Sequence, residues 1–252
     1  MIDISFDFTT DSEGYWDGFW ERGDGLGVGG SDPDVASLTL QSYHKTLWSK
    51  ELPCGEYMDL KAGRDPYWYL TWKDFRFASD SIIVEFRYQK YRHIIDQVKE
   101  RVLDYKSYYE DLLRKSYTIG GMIIFPKHQG SMNQNKGTNK YISDRWDLTL
   151  ECIRRYYSGE DSPLYKTIHR DKEFFDLFID FKGYVDFFFL QDCVADNYSK
   201  VDIWCGDAFF EKSGLPATVE EYFTFIEKEM AFLEKRNQRI MAYCQKAGYN
   251  FG

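Results

Sequence analysis

The chain has 252 residues, a formal net charge of −9, 43% hydrophobic residues and 19% aromatic residues. This much apolar and aromatic surface can form a sizeable core, which argues against disorder. The acidic balance makes broad contact with duplex DNA or an anionic membrane unfavourable, because such partners are usually met by a basic face.

The length is compatible with one domain over residues 1–252. The N-terminus lacks the basic start, apolar run and small-residue cleavage site of a secretory signal. No apolar run approaches the roughly 20 residues that a bilayer-spanning helix needs, so we expect no membrane segment. Five cysteines are scattered without a Cys-x-x-Cys pair, which is typical of reduced thiols and predicts a cytoplasmic protein.

The first third of the chain predicts a strand, a glycine-rich loop, a short helix and three strands that could pair into an antiparallel sheet. Alternation of apolar and polar residues, helical spacing and glycine content distinguish these elements. In chain order they are Ile2–Phe8, the loop 13–34, Leu38–Trp48, Tyr67–Trp72, Arg76–Ala78 and Ser81–Phe86.

For the rest of the chain the sequence predicts mainly helix, with one buried strand between the helices. Gly120 and Gly121 in that strand indicate a bulge or the close approach of another segment. Thr218 and Glu221 form a capping box before a last long helix. The other predicted elements are a helix Tyr91–Leu113, the strand Tyr117–Phe125, a helix from a Ser143 cap to Tyr157, and helices Asp171–Phe181 and Gly183–Val194. The predicted fold is α+β, with a small, mostly antiparallel N-terminal sheet packed on a predominantly helical C-terminal half.

The polar, basic loop 126–142 is the strongest functional feature, because connections of this length are uncommon in compact domains and are often functional. From Leu112 through Ser143 there is no acidic residue, although acids outnumber bases in the chain. Amide, lysine and arginine donors of this kind suit a phosphate or carboxylate. The predicted ligand-binding residues are Lys127, His128, Asn133, Asn135, Lys136, Asn139, Lys140 and Arg145. The alternative is a surface loop that binds nothing.

Two residues are candidates for acid–base catalysis. His44 stands beside Lys45, Trp48 and Lys50 on an aromatic helix, where it could act as a general base or simply pack with a hydrogen bond. Asp192 falls in a very apolar predicted helix, where a buried carboxylate is either a structural hub or a catalytic group. Four dispersed histidines indicate no metal site, and no motif indicates a cofactor.

Several segments resemble a family of uncharacterised bacterial proteins, a domain of unknown function. They are Ser31-Asp-Pro-Asp34, Tyr43–Lys50 with Leu52-Pro53, Ser79-Asp-Ser-Ile82, Tyr117–Pro126, Asp144–Arg155 and Gly183–Asp192. The resemblance covers most of the chain. It implies an intracellular bacterial protein but brings no activity, cofactor or partner with it.

Three functions follow as hypotheses, and the sequence leaves open whether the protein is an enzyme. The first is an enzyme or effector that binds a nucleotide or other phosphorylated, anionic small molecule through residues 127–145. The second is a non-catalytic module that engages a protein partner through Trp16, Phe19 and Trp20. The third, placed below these, is binding of single-stranded nucleic acid.

Overall fold

A computed structural model of the protein describes residues 2–16, 32–65, 68–82, 88–206 and 213–249. The fold is α+β, as predicted, with a four-stranded sheet in the N-terminal half and helices mostly in the C-terminal half. The helices are α1 Pro33–Ala36, α2 Leu38–Trp48, α3 Tyr88–Arg101, α4 Tyr105–Ser116, α5 Met132–Thr138, α6 Trp146–Tyr157, α7 Tyr165–Arg170, α8 Lys172–Asp176, α9 Phe181–Phe187 and α10 Val219–Lys246.

The sheet is antiparallel throughout and has the strand order β1-β2-β3-β4. Its strands are β1 Lys61–Asp65, β2 Trp68–Trp72, β3 Phe75–Ser81 and β4 Met122–Pro126, and a small hairpin adds β5 Val194–Ala195 and β6 Lys200–Val201. Every residue of β4 is buried, which accounts for its continuous apolar sequence. Of the predicted strand Ser81–Phe86, Ser81 ends β3 and residues 83–86 lie outside the described residues.

The predicted strand Ile2–Phe8 is wrong. Residues 2–7 form no strand, and a short 3₁₀ helix spans Phe8–Asp11. Asp3 Oδ1 accepts from the backbone N–H of Ser5 over 2.8 Å, and Asp7 Oδ1 accepts from that of Thr9 over 2.9 Å. These local bonds occupy amides that a strand would offer to its neighbour, so the alternating pattern does not produce a strand. Of the predicted glycine-rich loop 13–34, residues 17–31 lie outside the described residues.

The predicted helix Tyr91–Leu113 is divided into α3 and α4. Asp104 accepts from the backbone N–H of Ser107 over 3.1 Å and caps α4, so the chain turns between two helices that share one hydrophobic spacing. The predictions of a helix over Leu38–Trp48 and of a Thr218 cap on the last helix are confirmed.

Three C-terminal predictions need correction. Helix α6 begins at Trp146 rather than at a Ser143 cap, because Ser143 and Asp144 adopt left-handed φ angles of 49° and 63°. Helix α9 ends at Phe187 instead of continuing to Val194, and a 3₁₀ helix follows at Gln191–Cys193. The predicted helix Asp171–Phe181 is only Lys172–Asp176.

The polar segment 126–142 is not a continuous loop, because it contains α5. The 28-residue helix α10 packs on α3, α4 and the 3₁₀ turn Ile119–Gly121. A Cβ atom on Gly120 would lie 2.7 Å from the carbonyl oxygen of Leu233, so the predicted close approach is real and requires glycine there. None of the described helices combines the length and the apolar character that crossing a membrane requires.

Candidate functional site

Helix α1, the end of β3 and helix α5 meet at one polar region. Residues 79–81 of β3 pair with β4, whereas β2 pairs with β3 only through residues 75–77. Helix α1 packs against β3. From α5, the side-chain amide of Asn133 donates to the backbone carbonyl of Ser79 over 3.2 Å. The backbone therefore brings polar residues from three separate parts of the sequence together.

A chain of hydrogen bonds runs from the core to this region. The indole N–H of Trp48 donates to Nδ1 of His44 over 2.8 Å. Nε2 of His44 lies 3.0 Å from Oγ of Ser79, and that hydroxyl donates to Oδ1 of Asp34 over 2.9 Å. The chain connects a buried aromatic residue to a carboxyl group on α1.

His44 is fully buried in this chain. Burial, with a smaller contribution from the positive charge of Arg236, lowers the pKa of His44 to about 3. The ring is therefore neutral at physiological pH, and both of its nitrogens have hydrogen-bond partners.

Lys136 lies at the centre of the polar region with only 3% of its surface exposed. Its ammonium group forms ion pairs with Asp144 and, over 3.2 Å, with Oδ2 of Asp80. Although burial acts to lower it, the charges of Asp144 and Asp80 raise the pKa of Lys136. The lysine remains charged because two carboxyl groups face it. We call Asp34, Asp80, Lys136 and Asp144 the aspartate–lysine cluster.

The cluster contains two carboxyl groups with unusual proton affinity. Burial raises the pKa of Asp80 to about 7, although Lys136 acts in the opposite direction. Burial and the charges of Asp32 and Asp80 raise the pKa of Asp34 well above its ordinary range. Asp34 therefore keeps its proton to higher pH than an ordinary aspartate, and at neutral pH Asp80 is present in both its protonated and its charged form.

Two buried acceptor atoms in this region, on Asp80 and Asn133, have few donors within reach. Oδ1 of Asn133 lacks a hydrogen-bond partner, whereas Oδ2 of Asp80 has the Lys136 ammonium group 3.2 Å away. The contact between Asp80 and Lys136 has the distance of an ion pair without the angles of a hydrogen bond. Buried acceptors of this kind cost free energy unless a donor reaches them.

Backbone strain is found in the same place. Ser143 and Asp144 are consecutive non-glycine residues with positive φ, and Asp144 presents its carboxylate to Lys136. Left-handed φ angles at non-glycine residues tend to occur where a functional arrangement holds them.

Arg145 lies beside the cluster, but its guanidinium is used elsewhere. Its Nε donates to Oδ1 of Asp147 over 3.0 Å, and its Nη2 contacts the other carboxylate oxygen. Nη1 donates to the carbonyl of Gly214 over 2.9 Å and contacts Sγ of Cys205. Both charged residues are buried, and Asp147 also accepts from the backbone N–H of Trp204. Through these bonds, the loops that contain Gly214 and Trp204 are connected to the start of α6.

The other predicted ligand-binding residues are distributed around α5. Nε2 of His128 lies 2.5 Å from Oδ1 of Asp171, and Asn135 donates to the carbonyl of Gly130. Asn139 accepts from the backbone N–H of Tyr141. Lys127 is half-buried, and Lys140 is exposed beside the Tyr141 ring. Of the predicted set, the structure brings Asn133 and Lys136 into the cluster region.

Asp192 does not lie inside an apolar helix. It belongs to the 3₁₀ helix after α9, its side chain is partly exposed, and its carboxylate is bound by Arg239 of α10. The buried environment predicted for Asp192 depended on a continuous helix to Val194, which the chain does not form.

Within the part of the chain that the structure describes, no group of three or more histidine, cysteine, aspartate or glutamate side chains could hold a metal ion. The aspartates of the cluster face an ammonium group instead.

Comparison with known proteins places the chain in a family. A family model described as a family of unknown function, DUF6994, matches residues 2–240. The chain belongs to DUF6994. No curated protein matches it, and no solved structure does so either.

In this DUF6994 chain, four cluster-region residues were missed by sequence reasoning: Asp34, Ser79, Asp80 and Asp144. Their short Asp- and Ser-rich sequences are also typical of surface turns. Each of the four lies in a segment that carried the resemblance to the family. Those segments could have indicated the site. They are far apart from one another in the sequence, and each contributes a polar side chain to the region of the aspartate–lysine cluster.

Proposed function

We propose that this protein binds a small polar molecule at the aspartate–lysine cluster and that Asp80 exchanges a proton with it. The observation that carries the proposal is the state of Asp80: its Oδ2 atom is buried 3.2 Å from the ammonium group of Lys136, and burial nevertheless raises its pKa to about 7. A general acid–base group works best when its pKa lies near the operating pH. The protein is accordingly proposed to be an enzyme of the acid–base type.

The charge of the cluster supports a neutral or positively charged ligand. Asp80 and Asp144 form ion pairs with one ammonium group, Asp34 lies within its electrostatic reach, and Asp32 lies close enough to raise the pKa of Asp34. A phosphate would meet this excess of carboxyl groups, whereas hydroxyl or amino groups would satisfy the acceptors of Asp80 and Asn133.

The hydrogen-bond chain supplies the rigidity that a site needs. Ser79 holds Asp34 by a hydrogen bond, and His44 holds Ser79. His44 thereby supports the proposed site as a positioning residue. For Asp192 the ion pair with Arg239 favours a structural role over acid–base chemistry.

A phosphorylated ligand at residues 127–145 stays a second candidate, since four lysine and arginine residues lie in this stretch. The carboxylate partners of Lys136 and Arg145 disfavour these two side chains as phosphate ligands. For the protein-interaction hypothesis, Trp16 donates to Thr9 and contacts Arg114, while Phe19 and Trp20 lie outside the described residues.

We also infer a cytoplasmic location. All five cysteines lie in the described residues, all five are free thiols, and four of them are buried. Such thiols are typical of a reducing compartment.

The proposal is tested by a thermal-shift screen against polyols, amino acids, amines, nucleotides and phosphorylated metabolites. The wild type is compared with Asp80→Asn, which keeps the shape of the side chain, and with Asp176→Asn as a matched control at an exposed ion pair. A neutral or cationic compound should raise the melting temperature of the wild type and of Asp176→Asn but not of Asp80→Asn.

The pH dependence of the ligand-induced rise in melting temperature is a second measurement. In the wild type, the affinity for a bound compound should change around pH 7, and in Asp80→Asn this change should vanish. A response confined to nucleotides and phosphorylated compounds, unchanged in Asp80→Asn, would favour the second candidate and overturn the first.

A further inference from the structure

Arg236 is a buried cation whose hydrogen bonds go to neutral groups. Its side chain projects from α10 and has no solvent exposure. Nε donates to the carbonyl of Phe188 over 3.1 Å, and Nη1 donates to the carbonyls of Gly120 and Met122 over 2.7 and 2.9 Å. These three carbonyl groups provide partial negative charge but no full counter-charge.

Among the described residues, the side chains that act on the pKa of Arg236 do not supply a negative charge. Burial lowers the pKa of Arg236 to about 9, and the two groups that oppose this are Cys193 and Tyr184. Burial raises the pKa of the Cys193 thiol, and likewise that of the Tyr184 hydroxyl, so both groups keep their protons. At neutral pH the guanidinium is charged beside two neutral side chains. An isolated charge costs several kcal/mol to bury, because water no longer solvates it.

Two donors at this place have no acceptor. Nη2 of Arg236 and the hydroxyl oxygen of Tyr184 are buried, and neither has a hydrogen-bond partner. The two side chains meet at Phe188, whose carbonyl accepts from Nε of Arg236 over 3.1 Å and whose ring centroid lies 5.0 Å from that of Tyr184. Tyr184 is itself completely buried among aromatic rings, so solvent does not satisfy its hydroxyl.

We propose that Arg236 and Tyr184 form an internal binding site for a small monovalent anion. The anion accepts hydrogen bonds from Nη2 and from the Tyr184 hydroxyl, and it neutralises the buried guanidinium. Its chemistry is that of a halide or a simple carboxylate such as formate. A monovalent anion matches the single charge of the Arg236 guanidinium, whereas a phosphate carries a second charge.

A water molecule could accept the same two hydrogen bonds, but it would leave the charge of Arg236 uncompensated. An anion and a water molecule can therefore be distinguished by experiment, because only the anion neutralises Arg236. The two donors belong to α9 and α10, and Asp80 lies near enough to Tyr184 to raise the pKa of its hydroxyl.

The test measures the melting temperature of the full chain in sodium gluconate, while chloride, formate or acetate replaces gluconate at constant ionic strength. For the wild type we expect a saturable rise with a small anion. Tyr184→Phe keeps the ring and removes one donor to a charged group, so the midpoint concentration should increase by about tenfold. Comparison of chloride with formate and acetate identifies whether a halide or a carboxylate is preferred.

Tyr157→Phe is the matched control, since the Tyr157 hydroxyl donates to the carbonyl of Phe175 over 2.6 Å. This variant should lower stability and leave the anion midpoint unchanged. Equal midpoints for Tyr184→Phe and the wild type, or a rise that does not saturate, would overturn the proposal. Crystals grown with bromide give an independent readout: an anomalous peak beside Nη2 supports it, and an ordered water at that position refutes it.

Discussion

The indole nitrogen of Trp48 lies 2.8 Å from Nδ1 of His44. An indole N–H only donates, so Nδ1 accepts, and the proton of the neutral imidazole is on Nε2. The Nε2–H group then donates to Oγ of Ser79, whose own proton points to Asp34. His44 is therefore a donor in this chain, which does not suit the general-base role predicted for it from the sequence.

This relationship predicts the NMR behaviour of His44. Long-range ¹H–¹⁵N spectra should show the Nε2–H form at neutral pH and no titration of His44 as the pH falls to about 5, because the pKa is about 3. Trp48→Phe removes the donor and should lower stability by about 1–3 kcal/mol in urea denaturation. A His44 ring that titrates near pH 6.5, its ordinary pKa, would contradict the assignment.

The buried pair of Arg145 and Asp147 should make a large contribution to stability. Arg145→Met leaves the Asp147 carboxylate buried without its cation, and we expect a loss of about 3–5 kcal/mol in urea denaturation. The double variant with Asp147→Asn should lose less than the sum of the single variants. Lys172→Met, at an exposed ion pair, serves as the control and should leave the free energy of unfolding close to that of the wild type. A small effect of Arg145→Met would show that Arg145 is available to a ligand.

His128 should make stability depend on pH. Burial acts to lower the pKa of His128, but the hydrogen bond to Asp171 raises it above its ordinary value. The folded form thus binds the proton more tightly than the unfolded form. Its contribution is fully present below about pH 6.5 and is lost as the pH rises through the raised pKa.

The contribution is small, because 36% of the His128 side chain is exposed and solvent screens the pair. We expect roughly 0.5 kcal/mol between wild type and His128→Gln at pH 6, shrinking at higher pH. Chemical denaturation at several pH values measures it, with exposed His93→Gln as the control. A difference that grows with pH would have the wrong sign.

The cap of α4 offers a local test of the fold. Asp104→Ala removes the acceptor for the backbone N–H of Ser107 and should cost about 1 kcal/mol. Asp111→Ala, at an exposed position inside the same helix, should cost much less, because alanine favours helix and no cap is lost. Similar losses for both variants would indicate that the chain does not begin a new helix at Asp104.

Helical spacing and caps made parts of the fold predictable from sequence. Leu38–Trp48 and the Thr218 cap could be identified because local propensity and tertiary packing agree there. The strand at Ile2–Phe8 failed because Asp3 and Asp7 bind nearby amides, an interaction that hydrophobic periodicity does not detect.

The candidate site was less accessible to sequence reasoning. Lys136 was identified as a cation in a basic segment, but its partner Asp80 lies 56 positions earlier and becomes a neighbour only through the pairing of β3 with β4. A run without acidic residues therefore looked positive in the sequence, although the folded chain surrounds its central lysine with carboxyl groups.

The bonds of Arg236 have a consequence for synthesis of the chain. This one side chain joins α10 to the carbonyl groups of Gly120, Met122 and Phe188, which are separated from it by 116, 114 and 48 positions. The ribosome releases β4 long before it releases residue 236. Until α10 has been synthesised, the 3₁₀ turn Ile119–Gly121 that precedes this apolar strand is not covered. Contacts of such long sequence range slow folding and prolong exposure of unfinished surfaces. Nascent chains arrested before residue 219 should consequently depend on chaperones that hold apolar segments.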